Sequence, residues 1–315
     1  MITVLTGGSG GAKFLQGLVQ AVPPEQVTAI VNTGDDLEWW GLHVSPDLDS
    51  IVYGLAGLLS RERGWGLEGE TFACLERMRA LGEATWFQLG DRDLATHVRR
   101  TCMLRSGRTL TSVTAELATT MGVRSRVLPM SNDCIVTRVL TDRGELVFQE
   151  YFVRERHALP ARGVRFAGAE QARPAPGVLD AIAEAEIVLL APSNPITSIG
   201  PILAVPGIRD ALRSTVAPKV AVTPIIAGKA FSGPAAQLMD AEHFPPTVAG
   251  VAACYRDFLT ALVIDYADAA MAVEIQGLGV QAVCANTVMD SEPAKRLLAE
   301  AALGIAGGRS DTGQP

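Results

Sequence analysis

Two stretches near the amino terminus gather groups suited to phosphate and cation chemistry. The first, "LTGGSGGAK", runs from Leu5 to Lys13 and sets Gly8, Ser9, Gly10, Gly11 and Lys13 at what reads as a strand-to-helix turn. Glycines there let backbone N–H groups close on a phosphate, with the helix N-terminus and a lysine supplying positive charge. Neither standard fingerprint fits. GxGxxG fails because the residue three after Gly10 is Lys13, and GxxxxGK[ST] fails as well. The stretch reads as a phosphate or nucleotide turn outside the NAD pattern, with a merely tight turn as the alternative.

The second stretch holds the acidic pair Asp35 and Asp36 in "NTGDD", followed by Asp47 and Asp49 in "SPDLDS". Short acids suit turns and helix caps, which is the plain reading. Four carboxylates within fifteen residues, next to a phosphate turn, also suit Mg²⁺ held by one or two protein oxygens and the substrate phosphates.

Further along, "LGDRDLATHVRR" places Arg92 between Asp91 and Asp93 at a helix start. Either acid can cap that helix, while Arg92 reads equally as a phosphate contact or a structural ion pair. His97, one turn on, reads as structural. "APSNPITSIGPIL" runs an apolar strand into Ser193, Asn194, Ser198 and Gly200, so hydroxyl, amide and backbone groups converge where a base or phosphate binds. "VTPIIAGKAFSGPAAQLM" repeats the arrangement, with Lys229 and Ser232 as anion contacts or ordinary turn residues.

The elements that must position these groups are short Val/Ile-rich runs separated by helical segments: "ITVLT", "VTAIVNT", "EIVLLAPS", "KVAVTPI", "ALVIDY" and "QAVCAN". Wholly apolar strands alternating with helices predict an α/β, doubly wound, Rossmann-like parallel sheet with ligands at the carboxyl ends of its strands. Helical periodicity over about 50–130 predicts a mostly helical insertion. After it, two strand-like runs joined by "TDRGE" predict a hairpin, and the sheet resumes near Glu186. The expectation is one domain over residues 1–315, with a frayed tail at about 306–315.

Composition narrows the partners. Hydrophobic residues at 48% and charged ones at 19% describe a compact globular chain. A net charge of -7 without a basic run argues against nucleic acid. No stretch reads as a signal or membrane span, and the expected location is the cytoplasm. The five cysteines and four histidines are scattered without zinc spacing, so any metal is a hard ion held by oxygen.

Seven segments together, "GGSGGAKFLQGL", "VNTGDDLEWWGLHVSPDLDS", "GLEGETF", "LGDRDLATHVRR", "LPMSND", "APSNPITSIGPIL" and "SGPAAQLM", resemble the 2-phospho-L-lactate transferase (CofD) family, including its bacterial phosphoenolpyruvate transferase branch. The resemblance implies a Mg²⁺-dependent homodimeric enzyme. It implies transfer of a phospholactyl or phosphoenolpyruvyl group from a guanosine diphosphate-linked donor to the deazaflavin Fo. GMP leaves, and the product is (dehydro) coenzyme F420-0. Asp49 matches the family's deazaflavin-binding aspartate, and Gln88 a second contact, with Arg92 beside them. Asp49 and Asp36 are the expected catalytic acids, and Asp35, Asp36 and Asp49 the expected metal ligands. Gly8 to Lys13 and Ser193 to Gly200 would hold the nucleotide and phosphates.

Two departures stand out. Gln88 replaces a lysine common in archaeal relatives, and the usual "SDD" is Ser131, Asn132 and Asp133. A nucleotide-sugar-binding regulator of the gluconeogenesis-factor type is the alternative, and a nicotinamide-dependent oxidoreductase a third reading. Binding of Fo discriminates against the first, and binding of NAD(P)H would favour the second.

Overall fold

The structure, a computed structural model, describes residues 1–230 and 233–306. Ser232 and the tail beyond 306 lie outside the described residues, and with them the anion contact and the fraying expected there.

Strand β1 (Ile2–Thr6) leads into helix α1 (Gly8–Ala21) and strand β2 (Val27–Val31), and both strands are buried at every position. They pair in parallel, with Ile2 opposite Val27 and Thr6 opposite Val31. Successive side chains point to opposite faces. Leu5 and Ile30 enter one core with Leu190 and Ile202, while Val4 and Ala29 enter the other with Phe14 and Ile51. Double burial is why these runs are apolar throughout instead of alternating.

A short antiparallel pair follows, β3 (Leu37–Trp39) and β4 (Leu42–Val44). Four helices come next: α2 (Pro46–Leu55), α3 (Ala73–Ala80), α4 (Asp91–Arg105) and α5 (Leu110–Thr120). Helix α2 starts inside "SPDLDS". Pro46 takes the first position, where a missing N–H costs nothing, and Asp47 and Asp49 fall in the first turn. The capping around "GDRD" is reciprocal. Asp91 accepts from the Thr71 hydroxyl (2.5 Å) and from the N–H groups of Ala73 and Cys74 (both 2.9 Å), so it caps α3 and not its own helix. Glu70 accepts from Arg92 N and Asp93 N at 2.8 Å and caps α4.

Strand β5 (Arg126–Pro129) then joins the main sheet beside β2, earlier than the sequence suggests. The "TDRGE" hairpin forms from β6 (Val136–Thr141) and β7 (Gly144–Val147), and β8 (Ala161–Ala167) adds a third strand to it. The strand-like run "LVFQEYFV" stops at Val147, and Glu150–Arg154 makes a π-helical turn. The turn buries Tyr151, whose hydroxyl donates to Gln237 at 2.8 Å, and stacks Phe148 on Phe152 with centroids 5.5 Å apart. A strand would hold those rings about 13 Å apart.

Strands β9 (Ile187–Leu190) and β10 (Lys219–Val222), a small ladder of β11 (Ile225–Ile226) with β12 (Lys229–Ala230), then β13 (Ala261–Asp265) and β14 (Gln281–Ala285) complete the strands. The seven-stranded parallel sheet has the order β14-β13-β10-β9-β1-β2-β5. The chain builds outward from β1 through β2 and β5, then returns to β9 on the other side of β1. That reversal opens a crevice at the carboxyl ends of β1 and β9, the place where a doubly wound sheet binds ligands.

Candidate active site

Where β1 and β9 end side by side, Ser193 fastens their loops together. Its hydroxyl donates to Gly7 O at 2.7 Å, and Gly7 N donates back to the same oxygen at 3.2 Å. Gly7 has no room for a side chain. A Cβ there would strike the Asp47 carboxylate and lie 3.0 Å from Ser198 Cβ and 3.2 Å from Asn32 Cβ. Gly8 follows at φ +65°, a left-handed conformation costly for any other residue. Helix α1 begins here without a side-chain cap and without an acid in its first turn. Its N–H groups and the positive end of its dipole suit an anion.

Asn32, just past β2, holds the acids beside this turn. Its amide donates to Asp47 Oδ2 (2.9 Å) and to Thr197 O (3.2 Å), and its oxygen accepts from Gly34 N (2.8 Å). Asp35 and Asp47 are both buried and both line the cavity. Among the described residues Asp35 Oδ1 has no hydrogen-bond partner, although Thr137 and Asn32 lie near enough to favour the charged form. Burial pushes the Asp35 carboxyl well above the ordinary carboxylate range, and the charge of Asp47 adds to the rise. Burial also raises Asp47 to about 6, against hydrogen bonds from Asn32 and Gly8 N. Two buried carboxylates held this way make a site that a cation would relieve.

Asp49 has a different partner. Arg100 Nη1 donates to its Oδ2 at 3.0 Å, and Nη2 donates to its Oδ1. Arg100 Nη1 also donates to His97 Nδ1 at 3.2 Å. A guanidinium only donates, so Nδ1 accepts and the imidazole proton sits on Nε2, which lies 3.2 Å from Asp93 Oδ1. The same Asp93 oxygen accepts from the Tyr53 hydroxyl at 2.6 Å. Burial alone would raise Asp93, but hydrogen bonds from His97 and Tyr53 hold it below the usual range. Asp49, Asp93 and His97 bring ligand atoms within 4.8 Å of one another, yet Arg100 and Tyr53 already engage them. A divalent cation there would face a guanidinium.

Gly7, Gly8, Asp35, Asp47, Asp49, Asp93, His97 and Ser193 line one cavity of about 640 Å³, with Asn32 and Arg100 behind its wall. Around the glycine turn its wall is polar, with Ser9, Ser193, Asn194, Thr197, Ser198, Thr223 and Thr287. Elsewhere the wall is aromatic. Trp65, Trp86 and Phe87 come from the insertion, and Phe148 and Phe152 from the β7 end and the π-helical turn. Trp86 packs edge-on against Trp39, centroids 4.7 Å apart, which fixes its ring.

The family model described as 2-phospho-L-lactate transferase CofD matches residues 2–292. The chain belongs to the CofD family. The phosphoenolpyruvate transferase of Streptomyces coelicolor is 43% identical over 311 residues, 97% of this chain and 98% of that one. The 2-phospho-L-lactate transferase of Methanothermobacter thermautotrophicus is 42% identical over 304 residues, 96% of this chain and 97% of that one. A crystal structure of a UPF0052 family member from Bacillus halodurans shares the fold at a TM-score of 0.64 with 18% identity, covering 96% of this chain and 98% of that one. As a CofD protein the chain is a transferase of phospholactyl or phosphoenolpyruvyl groups in coenzyme F420 biosynthesis. Among the described residues no helix is long and apolar enough to cross a membrane.

Of the residues expected at the site, Gly8, Ser9, Gly10, Asp35, Asp49, Gln88, Ser193, Asn194 and Ser198 meet on the cavity wall. Five other residues expected there do not line it. Gly11 packs against Thr6 and Ser193, and Gly200 against Phe166. Lys13 is half-buried on α1. Arg92 is exposed and donates to Glu68 O at 3.0 Å. Asp36 Oδ2 accepts from the Ser45 hydroxyl at 2.7 Å and meets His43 Nε2 at 3.0 Å. Ser193 and Asn194 also have structural duties, the former on Gly7 and the latter capping the next turn through Ile196 N at 2.9 Å. Asp47, which the sequence leaves as a possible turn residue, stands beside Asp35. Asn32, Arg100 and the aromatic wall were not singled out by spacing, and only the neighbouring "TWFQ" around Gln88 hints at the rings.

Proposed function

We propose that this protein moves a phospholactyl or phosphoenolpyruvyl group from a guanosine diphosphate-linked donor to a hydroxyl of the deazaflavin Fo, releasing GMP and forming (dehydro) coenzyme F420-0. The observation that carries this reading is the single cavity in which a glycine turn and a paired-carboxylate site adjoin a wall of aromatic rings. The turn suits a diphosphate, and the rings suit a flat tricyclic acceptor.

Asp35 and Asp47 fit Mg²⁺. Both offer hard oxygen donors, one oxygen of Asp35 is unpaired among the described residues, and the charge of Asp47 raises the proton affinity of Asp35. When bound, the ion would neutralise charge on the transferring phosphoryl group. The α1 N-terminus and the Ser193 to Ser198 loop hold the diphosphate and guanosine. Asp49, its orientation fixed by Arg100, accepts a hydrogen bond from the attacking hydroxyl. The new bond joins that oxygen to the phosphorus bearing the three-carbon acid. The bond to the GMP oxygen breaks, GMP carries off the electron pair, and the hydroxyl proton leaves by way of Asp49 Oδ2. Such transfer depends on position and charge more than on a strong base, which suits an aspartate already paired with arginine.

The test is release of GMP from each candidate donor. Release should require both Fo and Mg²⁺ in wild type and be lost in Asp47→Asn. Release that ignores Fo would remove the acceptor from the account.

A further inference from the structure

Arg156 lines the cavity on the segment that also supplies Phe148, Gln149, Phe152 and Val153. Its backbone has φ +50°, and His157 follows at φ +44°. Two successive non-glycine residues in the left-handed region are strained and persist only where their surroundings enforce them. Here the enforcement is visible. His157 N donates to Tyr151 O at 2.8 Å, and the imidazole stacks on Phe152 with centroids 5.9 Å apart.

Charge sets Arg156 apart from its neighbours. Arg154 is paired with Glu150 at 2.8 Å and Glu155 at 3.0 Å. Arg63, the other arginine on the cavity wall, donates to Leu67 O at 2.8 Å and lies 5.5 Å from the ring centroids of both Trp65 and Phe72. Among the described residues no group pairs with Arg156. The same wall carries Asp35, Asp47, Asp49 and Asp93. A ligand bringing a further carboxylate into it is repelled unless a cation meets it.

We propose that Arg156 receives the carboxylate of the transferred three-carbon acid, and so selects donors whose distal group is an acid. The assignment rests on the transfer reading above. The planar guanidinium fork matches a carboxylate through two parallel hydrogen bonds. The diphosphate already has the helix N-terminus and the site of Asp35 and Asp47. A nucleoside diphosphate ending in an uncharged group, such as a sugar, gains nothing from Arg156.

Calorimetric binding of the guanosine diphosphate-linked acid, of GDP and of Fo to wild type and to Arg156→Gln tests this without turnover. The donor's Kd should rise about tenfold to hundredfold in the variant, the scale of a charged hydrogen-bonded pair. Those of GDP and Fo should stay within about twofold, and Arg156→Lys should recover part of the loss. Donor affinity unchanged in the variant overturns the proposal. So does a parallel rise for GDP, which would make Arg156 a phosphate contact, or a rise for Fo alone. Wild type that binds the donor but transfers nothing to Fo counts against the functional reading and not against Arg156.

Discussion

Arg100 and Asp49, 51 residues apart in sequence, meet in a buried two-point ion pair in which Arg100 Nη1 reaches Asp49 Oδ2 at 3.0 Å. The pair makes Asp49 a fixed hydrogen-bond acceptor and not a free anion awaiting a metal. Asp49→Asn keeps the side chain's shape but leaves Arg100 buried without its counter-charge, so per folded molecule it should lower product formation by about a hundredfold or more at saturating donor, Fo and Mg²⁺. Turnover near wild type would remove that role.

Removing the other partner tests the same pair through stability. Arg100→Ala leaves a buried carboxylate uncompensated, and the loss is about 3–5 kcal/mol of stability. Urea unfolding measures it. A loss below about 1 kcal/mol would mean that water already reaches Asp49.

Ser193 closes on both backbone groups of Gly7. Ser193→Ala should cost about 1–3 kcal/mol, because the Gly7 groups stay buried without a partner. GDP affinity should fall with it, since the turn loses its clamp. Full GDP affinity in the variant would separate Ser193 from the turn's shape.

Asp47, raised to about 6 by burial, keeps its proton in the folded state at pH values where an unfolded aspartate has lost it. This favours the fold at low pH, fully below about pH 4, and the contribution is lost as pH rises through about 6. Mg²⁺ competes with that proton. The rise in Tm on adding Mg²⁺ should thus be large at pH 7.5 and small at pH 5, and absent at both in Asp47→Asn. A Tm shift equal at the two pH values contradicts the assignment of the ion to this pair.

Phe152 is partly exposed on the aromatic wall, stacked on Phe148. Phe152→Ala should raise KM for Fo by about tenfold, the scale of one lost stacking platform, with a smaller rise in KM for the donor because the Phe152–His157 stack also holds the segment of Arg156. A donor-only effect would move the acceptor to another wall.

Much of this was legible in the sequence, for identifiable reasons. The strands of the parallel sheet read clearly because burial on both faces demands apolar residues throughout, as in "ITVLT" and "EIVLLAPS". Strand β5 did not, because "RVLP" is four residues long, ends in proline and pairs at a sheet edge. The π-helical turn at Glu150–Arg154 hid behind β-prone Tyr, Phe and Val. At the site, glycines and aspartates signalled a phosphate turn and a cation. Which aspartate faces which partner depends on contacts between distant segments. Asp35 beside Asp47 and Arg100 on Asp49 follow from the sheet order and the packing of α2 against α4, which no local spacing encodes.

The central claim is transfer to Fo, and mass spectrometry of the reaction tests it most directly. Purified protein with Mg²⁺, Fo and either the lactyl or the enolpyruvyl guanosine diphosphate donor should yield Fo carrying the phosphorylated three-carbon acid, with one GMP formed for each molecule. Unmodified Fo with both donors, in protein shown to bind them, would contradict the account.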